Sequence, residues 1–291
     1  MVDAKTRQEA VTLYDRFTHG GMDRRSFMAE LSRIAGGAAA ASALVGTIAA
    51  QAGCAPVVPA DAPGLSTATL VLQVGSGRPL TVYRAAPQGR EEDAPAIVVV
   101  HENRGLNEHI RDVARRFAKA GYSAYAPDFL SVAGGTPADE ERARNMIGEL
   151  DMPAAVADGA ALIAQLGADG RRKVGVVGFC WGGAMVHRLA LAAGRGAAAG
   201  VSFYGPAPEP AELTRLETPL LLILAGRDER VNATALPYAA AASAAGKPVR
   251  AITYPDVDHA FHNDTSAARY NADAAGRAWG ETLAFLAQHM G

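Results

Sequence analysis

Three side chains in this sequence have the types that nucleophilic acyl chemistry requires: the thiol of Cys180, the carboxylate of Asp228 and the imidazole of His259. A thiolate attacks a carbonyl carbon. An imidazole carries the proton between thiol and leaving group, while a carboxylate fixes the imidazole tautomer and stabilises imidazolium. Cys180 lies in Gly178-Phe179-Cys180-Trp181-Gly182-Gly183, between the run Lys173–Val177 and the stretch Ala184–Ala193, where Met185, Leu189 and Ala192 share a helical face. This pattern predicts a strand, a sharp turn and a helix, with the thiol at the bend. Glycines are needed beside it because a Cβ there would collide with the adjoining strand or helix. A thiol at a helix N-terminus also sits where the dipole and the first amides favour an anion. The plainer alternative is a buried cysteine in a Gly-rich turn.

Asp228 closes Gly226-Arg227-Asp228, directly after the apolar run Pro219–Ala225, and His259 lies in the stretch Pro255 to His262 after the last expected strand. Each has a competitor. Asp228 could merely cap a helix starting near Asn232, and His262 is an alternative base three residues beyond His259. Asp256 and Asp258 read as solvated loop acids or turn formers. A further stretch, His101-Glu102-Asn103-Arg104-Gly105-Leu106-Asn107, follows the apolar strand Ala96–His101. A loop at that place contributes a main-chain N–H to an oxyanion hole beside the N–H after the nucleophile, which nominates Asn103 and Trp181. Glu102 stands out, since a carboxylate at a buried strand end is costly unless partnered. An ion pair with Arg104 is its plainer reading.

The elements that must position these residues alternate. Leu70–Val74 and Leu80–Arg84 read as a hairpin around Gly75-Ser76-Gly77. Strands are expected at 96–101, 122–127, 173–177, 200–204, 219–225 and 249–254. Helices are expected at 108–120, at 138–167 with a break near Asp151-Met152-Pro153, and at 184–193, 232–245 and 267–290. Two all-apolar strands among alternating units argue an α/β fold with a mostly parallel central sheet and helices on both faces. The catalytic candidates then stand at the carboxyl ends of strands, where open sheets place their sites. Nucleophile, acid and histidine in that chain order is the order of the α/β-hydrolase fold.

The chain of 291 residues is long enough for one sizeable core plus an appendage. A formal net charge of −2 gives no global reason to expect nucleic acid as a partner. Residues 1–52 read as an N-terminal arm. It holds a short amphipathic helix over Glu9–Phe17, then Asp23-Arg24-Arg25-Ser26-Phe27-Met28, close to a twin-arginine export motif. An uncharged Ala/Gly run follows, ending in the A-x-A stretch Ala50-Gln51-Ala52. The expectation is export to the periplasm or cell envelope with cleavage near Gly53, and without a stable membrane span. A cytoplasmic protein that keeps the arm is the alternative, and Gly53-Cys54 hints weakly at lipidation. Residues 53–68 read as a Pro/Ala linker and 69–291 as the catalytic domain. A disulfide between Cys54 and Cys180 is not expected.

Together the H-E-N-x-G-L-N stretch, the G-F-C-W-G-G turn, G-R-D and D-H-A-F resemble the dienelactone hydrolase family, from about residue 70 to the C-terminus. The resemblance implies Cys180, Asp228 and His259 as a triad. It also implies that Glu102 contacts the resting thiol and keeps it protonated until substrate displaces the carboxylate. The N-terminus resembles that of a secreted subgroup. Dienelactone-cleaving members hold the substrate carboxylate with one arginine after the Pro-Asp strand end and one past the catalytic histidine. Here Phe129–Gly134 and Phe261–Asp264 contain no arginine. The expected activity is therefore cysteine-dependent hydrolysis of an ester or lactone, with Arg104 and His262 as substrate-binding candidates. No metal or organic cofactor is expected, and a homodimer is an open possibility. A non-catalytic envelope binding protein on the same scaffold is the alternative from another class; a redox thiol protein is a weaker one.

Overall fold

The structure, a computed structural model, describes residues 3–19, 22–49, 55–75 and 77–291. The expected cleavage site, Gly53-Cys54 and Ser76 lie outside the described residues. The chain forms two compact units, one of Met1–Cys54 with Val257–Gly276 and one of Ala55–Asp256 with Arg277–Gly291.

Among the described residues, the N-terminal segment of the first unit forms the helices α1 (Ala4–His19), α2 (Arg24–Ala35) and α3 (Ala38–Ala49). Asp23 is the N-cap of α2, its Oδ1 accepting from the amides of Arg25 at 2.9 Å and Ser26 at 3.0 Å. The twin-arginine stretch is thus the capped first turn of a helix, with both arginines exposed. Gly36, at φ +78°, ends α2 in the left-handed conformation. The uncharged run is therefore interrupted, and α2 and α3 meet at a bend of 105°. Among the described residues no single helix is long and apolar enough to cross a membrane. Leu13, Tyr14, Phe27, Leu31 and Leu44 form a buried core, in which Phe17 stacks on Phe27 at 4.4 Å. Ala268, from the second segment of the unit, packs against that core.

The second unit is an eight-stranded sheet in the order β1-β2-β4-β3-β5-β6-β7-β8. Its strands are β1 (Leu65–Val74), β2 (Arg78–Pro87), β3 (Ala96–Val100), β4 (Ser123–Pro127), β5 (Val174–Phe179), β6 (Ala199–Phe203), β7 (Leu220–Ala225) and β8 (Val249–Tyr254). The β1–β2 hairpin is antiparallel and β2 joins β4 antiparallel; every later pairing is parallel. Every residue of β3, β5, β6 and β7 is buried, as apolar strands with helices on both faces require. The expected mostly parallel sheet is present.

Its helices are α4 (Glu108–Lys119), α5 (Glu140–Gly148), α6 (Met152–Leu166), α7 (Trp181–Ala193), α8 (Glu229–Ala244) and α9 (Ala272–Met290), the first turn of α9 belonging to the other unit. Asp151 caps α6 with Pro153 in its first turn, which makes the predicted break a helix start. Several expected boundaries move: β1 begins at Leu65 rather than Leu70, inside the expected linker, and β2 spans Arg78–Pro87 rather than Leu80–Arg84. α7 begins at Trp181 rather than Ala184, with Gly182 packed against the Val100 and His101 carbonyls and Gly183 against the Phe203 carbonyl. α8 begins at Glu229 rather than Asn232, because Asp228 caps it. α9 begins at Ala272 rather than Ala267, after a turn with bonds from Arg269 and Tyr270 amides to the Ser266 carbonyl. In the expected linker, the amides of Val57 and Val58 donate to Asp112 of α4 at 3.0 and 2.8 Å.

Candidate active site

The bend between β5 and α7 is built around Cys180, which is buried and has φ 57° and ψ −113°. A non-glycine residue in this region costs on the order of 1–3 kcal/mol and persists only where its surroundings over-determine it. Here they do. The Cys180 amide donates to the Phe203 carbonyl at 2.9 Å, tying the bend to β6. A Cβ on Gly178 would meet the Gly182 carbonyl, and one on Gly182 would stand 2.5 Å from the His101 carbonyl oxygen. The two glycines let β5, α7 and the end of β3 close to main-chain contact around the thiol, as the sequence pattern required. Trp181 is the first residue of α7, so its N–H is among those a helix leaves without an internal partner.

The loop after β3 carries Glu102, Asn103 and Arg104, and its shape depends on His101, which sequence reasoning passed over as the last residue of a strand. His101 is fully buried. The Phe129 amide donates to its Nε2 at 3.3 Å, so Nε2 is the acceptor and Nδ1 carries the proton. Nδ1–H in turn donates to the Glu102 carbonyl at 2.7 Å. Burial, the largest influence on this ring, holds its pKa below the usual imidazole range and keeps it neutral. The signal available in the sequence was a histidine at the end of an apolar strand, where both ring nitrogens must find partners.

Asp128, at the end of β4, binds the same loop indirectly. Its oxygens accept from the Thr136 amide and hydroxyl, both at 2.8 Å, and the Thr136 hydroxyl accepts from the Leu106 amide at 2.9 Å. Glu102 is buried within this frame. Arg104 is also buried, with its Nη1 3.4 Å from a carboxylate oxygen of Glu140, so it is engaged by α5.

Asp228 is buried at the end of β7, and its Oδ1 accepts from the Val231 amide at 3.1 Å. The capping role weighed from the sequence is real; a cap through one oxygen also fixes where the other stands. Asn232 donates to the Ala225 carbonyl at 2.8 Å and holds the start of α8 against the strand end. A Cβ on Gly226 would stand 2.5 Å from the Cα of Pro255, so the ends of β7 and β8 lie in main-chain contact. Arg227 approaches Asp256 at 3.9 Å.

His259 and His262 belong to the other unit, in the segment that leaves β8 at Val257. Both are buried. His259 precedes Ala260, which has φ 64°, a left-handed turn closed by the Asn263 amide donating to the Ala260 carbonyl at 2.9 Å. Asn263 Oδ1 accepts from the amide and hydroxyl of Thr265 at 3.0 and 2.7 Å, and Arg269 donates to the Ser266 hydroxyl at 3.0 Å. This segment is a braced turn rather than an open loop. The structure brings Cys180, Trp181, Glu102, Asn103, Arg104 and Asp228 to the carboxyl ends of the strands of one unit, and places His259 and His262 in the other.

Comparison with known proteins agrees with this architecture. The model of the dienelactone hydrolase family matches residues 80–290. A protein of Methylorubrum extorquens described as "Putative carboxymethylenebutenolidase" is 31% identical over 236 residues, covering 75% of this chain and 80% of that one. The crystal structure described as "Putative Dienelactone Hydrolase" from Klebsiella pneumoniae superimposes with a TM-score of 0.69 at 25% identity, over 77% of this chain and 99% of that one. A dienelactone hydrolase-like promiscuous phosphotriesterase from metagenomic libraries shares the fold, with a TM-score of 0.66 at 22% identity over 78% of this chain and all of that one.

Proposed function

Because the chain belongs to the dienelactone hydrolase family and is therefore a hydrolase of esters or lactones, we propose that it works through a covalent thioester on Cys180, with His259 as proton carrier and Asp228 as its orienting carboxylate. The observation that carries this reading is the conformation of Cys180. A strained, buried cysteine at a strand-to-helix bend, sustained by close glycine contacts between β5, α7 and the end of β3, is a costly way to fill space and a suitable one to present a thiol.

In the proposed reaction His259 takes the Cys180 proton and the thiolate attacks the carbonyl carbon. The main-chain N–H groups of Trp181 and Asn103 hold the oxyanion as it forms. Collapse expels the alkoxide, which takes the proton from His259; in a lactone the alcohol stays in the acyl chain. Water then attacks the thioester, with His259 again accepting a proton, and the free thiol returns. Glu102 is proposed to sit beside the resting thiol, where its negative charge opposes thiolate until substrate displaces it. Support for a neutral substrate comes from the absence of arginine in Phe129–Gly134 and Phe261–Asp264 and from the engagement of Arg104 by Glu140.

Mass spectrometry of protein quenched during turnover of a slow ester tests the reading. An acyl mass on the peptide holding Cys180, lost in Cys180→Ala together with turnover, is expected. Full hydrolysis by Cys180→Ala would remove the basis for it.

A further inference from the structure

The polar stripe of α1 lies against the turn that carries His259. Gln8, Asp15 and His19 are spaced by seven and four residues, which puts them on one face of the helix. Gln8 Nε2 donates to Asp258 Oδ1 at 2.5 Å, one residue before His259. The His19 ring packs on the His259 ring with centroids 4.6 Å apart and planes inclined by 57°. His19 is itself held. Its Nδ1 lies 3.1 Å from Asp15 Oδ1, 3.0 Å from the Asp15 carbonyl and 2.9 Å from the Thr18 hydroxyl. The Asp15 and His19 side chains are 16% and 11% exposed, far too covered for a solvated helix face. The opposite face of α1 is anchored by Leu13, Tyr14 and Phe17 in the helical core, and the Arg269 guanidinium lies 5.8 Å over the Tyr14 ring. The helix is thus fixed to the 257–276 segment at its beginning, middle and end.

From this we infer that α1 is a working part of the enzyme and that His19 is a positioning residue for His259. The inference rests on the reading of His259 as the proton carrier. An imidazole that moves protons between a thiol and a leaving group must keep one rotamer through both half-reactions. A misplacement of about 1 Å is enough to cost on the order of a hundredfold in rate. The braced turn fixes the backbone of His259; the His19 ring supplies a wall against rotation of its side chain, and Asp15 keeps that wall from turning. It follows that the active chain retains residues 4–49, because cleavage near Gly53 would remove both Gln8 and His19.

The test uses the full chain and a 4-nitrophenyl ester. His19→Ala should lower kcat about ten- to a hundredfold with KM within about twofold, since a displaced base weakens the transition state and not ground-state binding. His19→Phe, which restores a flat ring, should recover most of the lost kcat. Gln8→Ala, which leaves the helical core intact, should lower kcat severalfold, and decides the matter if His19→Ala fails to fold. Parent kcat in both His19→Ala and Gln8→Ala would overturn the inference, as would a loss that His19→Phe does not recover. Cys180→Ala separates the two readings. An active Cys180→Ala refutes the nucleophile assignment, whereas an inactive one beside an unaffected His19→Ala refutes only the role of α1. Intact-mass measurement of native protein gives a second arm: a fully active chain beginning near Gly53 would also overturn it.

Discussion

The imidazole of His101 lies flat against the indole of Trp181, ring centroids 5.2 Å apart and planes 10° from parallel. One residue follows β3 and the other starts α7, so the stack joins the two main-chain segments proposed to hold the oxyanion. With hydrogen bonds to Glu102 and Phe129 at its two nitrogens, His101 is a strut between three strand ends. His101→Ala should lower kcat/KM about ten- to a hundredfold through misaligned donors. Burst kinetics check it: the loss should fall on acylation, and Cys180 should still alkylate.

The bend tolerates no side chain at Gly182. An alanine Cβ would press on the Val100 and His101 carbonyls, which are backbone and cannot swing aside. Gly182→Ala should destabilise the protein by about 1–3 kcal/mol, the range expected for overpacking. Urea unfolding reads this directly, and an unchanged midpoint would mean that the bend relaxes without cost.

Much of this arrangement was legible because local and global signals agree at β5 and α7: an apolar strand, glycines around Cys180 and a helical stripe. The ends of β3 and β7 were legible for the same reason. What could not be read was non-local. Whether Glu102 or Glu140 faces Arg104 depends on where α5 packs, and His101 looked like strand until its two partners from different segments were known. The N-terminal helices are the sharpest case. Their apolar residues and twin arginines match an export signal as well as a folded bundle, and only the placement of 257–276 beside α1 gives the Gln8, Asp15 and His19 stripe a reason.

Glu102→Gln should lower the pH at which Cys180 alkylates. A carboxylate beside a thiol disfavours thiolate, so replacing it with a neutral amide favours ionisation. The rate of iodoacetamide reaction against pH shows the direction. An unshifted profile would place Glu102 away from the thiol.

Substrate charge is predicted from the cations that are missing. Charge-assisted hydrogen bonds contribute about 1.5–3 kcal/mol each, so the loss of two arginines weakens recognition of a carboxylate by orders of magnitude. A neutral lactone should therefore show a higher kcat/KM than its carboxymethylene analogue at low salt. The opposite preference would mean that another cation has taken over the role.

Acid should unfold the protein partly through His187. This histidine is fully buried on α7, edge to face with Tyr238 at 5.3 Å. Burial, with a smaller push from Arg188, takes its pKa from 6.5 to about 3. Between those values the unfolded chain binds a proton that the folded chain does not. Stability from this group is thus complete above pH 6.5 and falls toward pH 3, by about 1.4 kcal/mol per pH unit for one proton. His187→Leu should flatten that limb in urea titrations between pH 6 and 4; an identical slope would assign the acid sensitivity elsewhere.

At Cys180 the shape of the backbone can be considered apart from the side chain it carries. Its geometry is maintained by close main-chain approaches at the glycines and by the hydrogen bond from the Cys180 amide to the Phe203 carbonyl. The backbone conformation at this position is therefore set by main-chain packing. A serine at position 180 would meet the same main-chain packing. On the proposed reading, a lineage built on such a frame can change the hardness of its nucleophile, and with it the bonds it attacks, by a single codon.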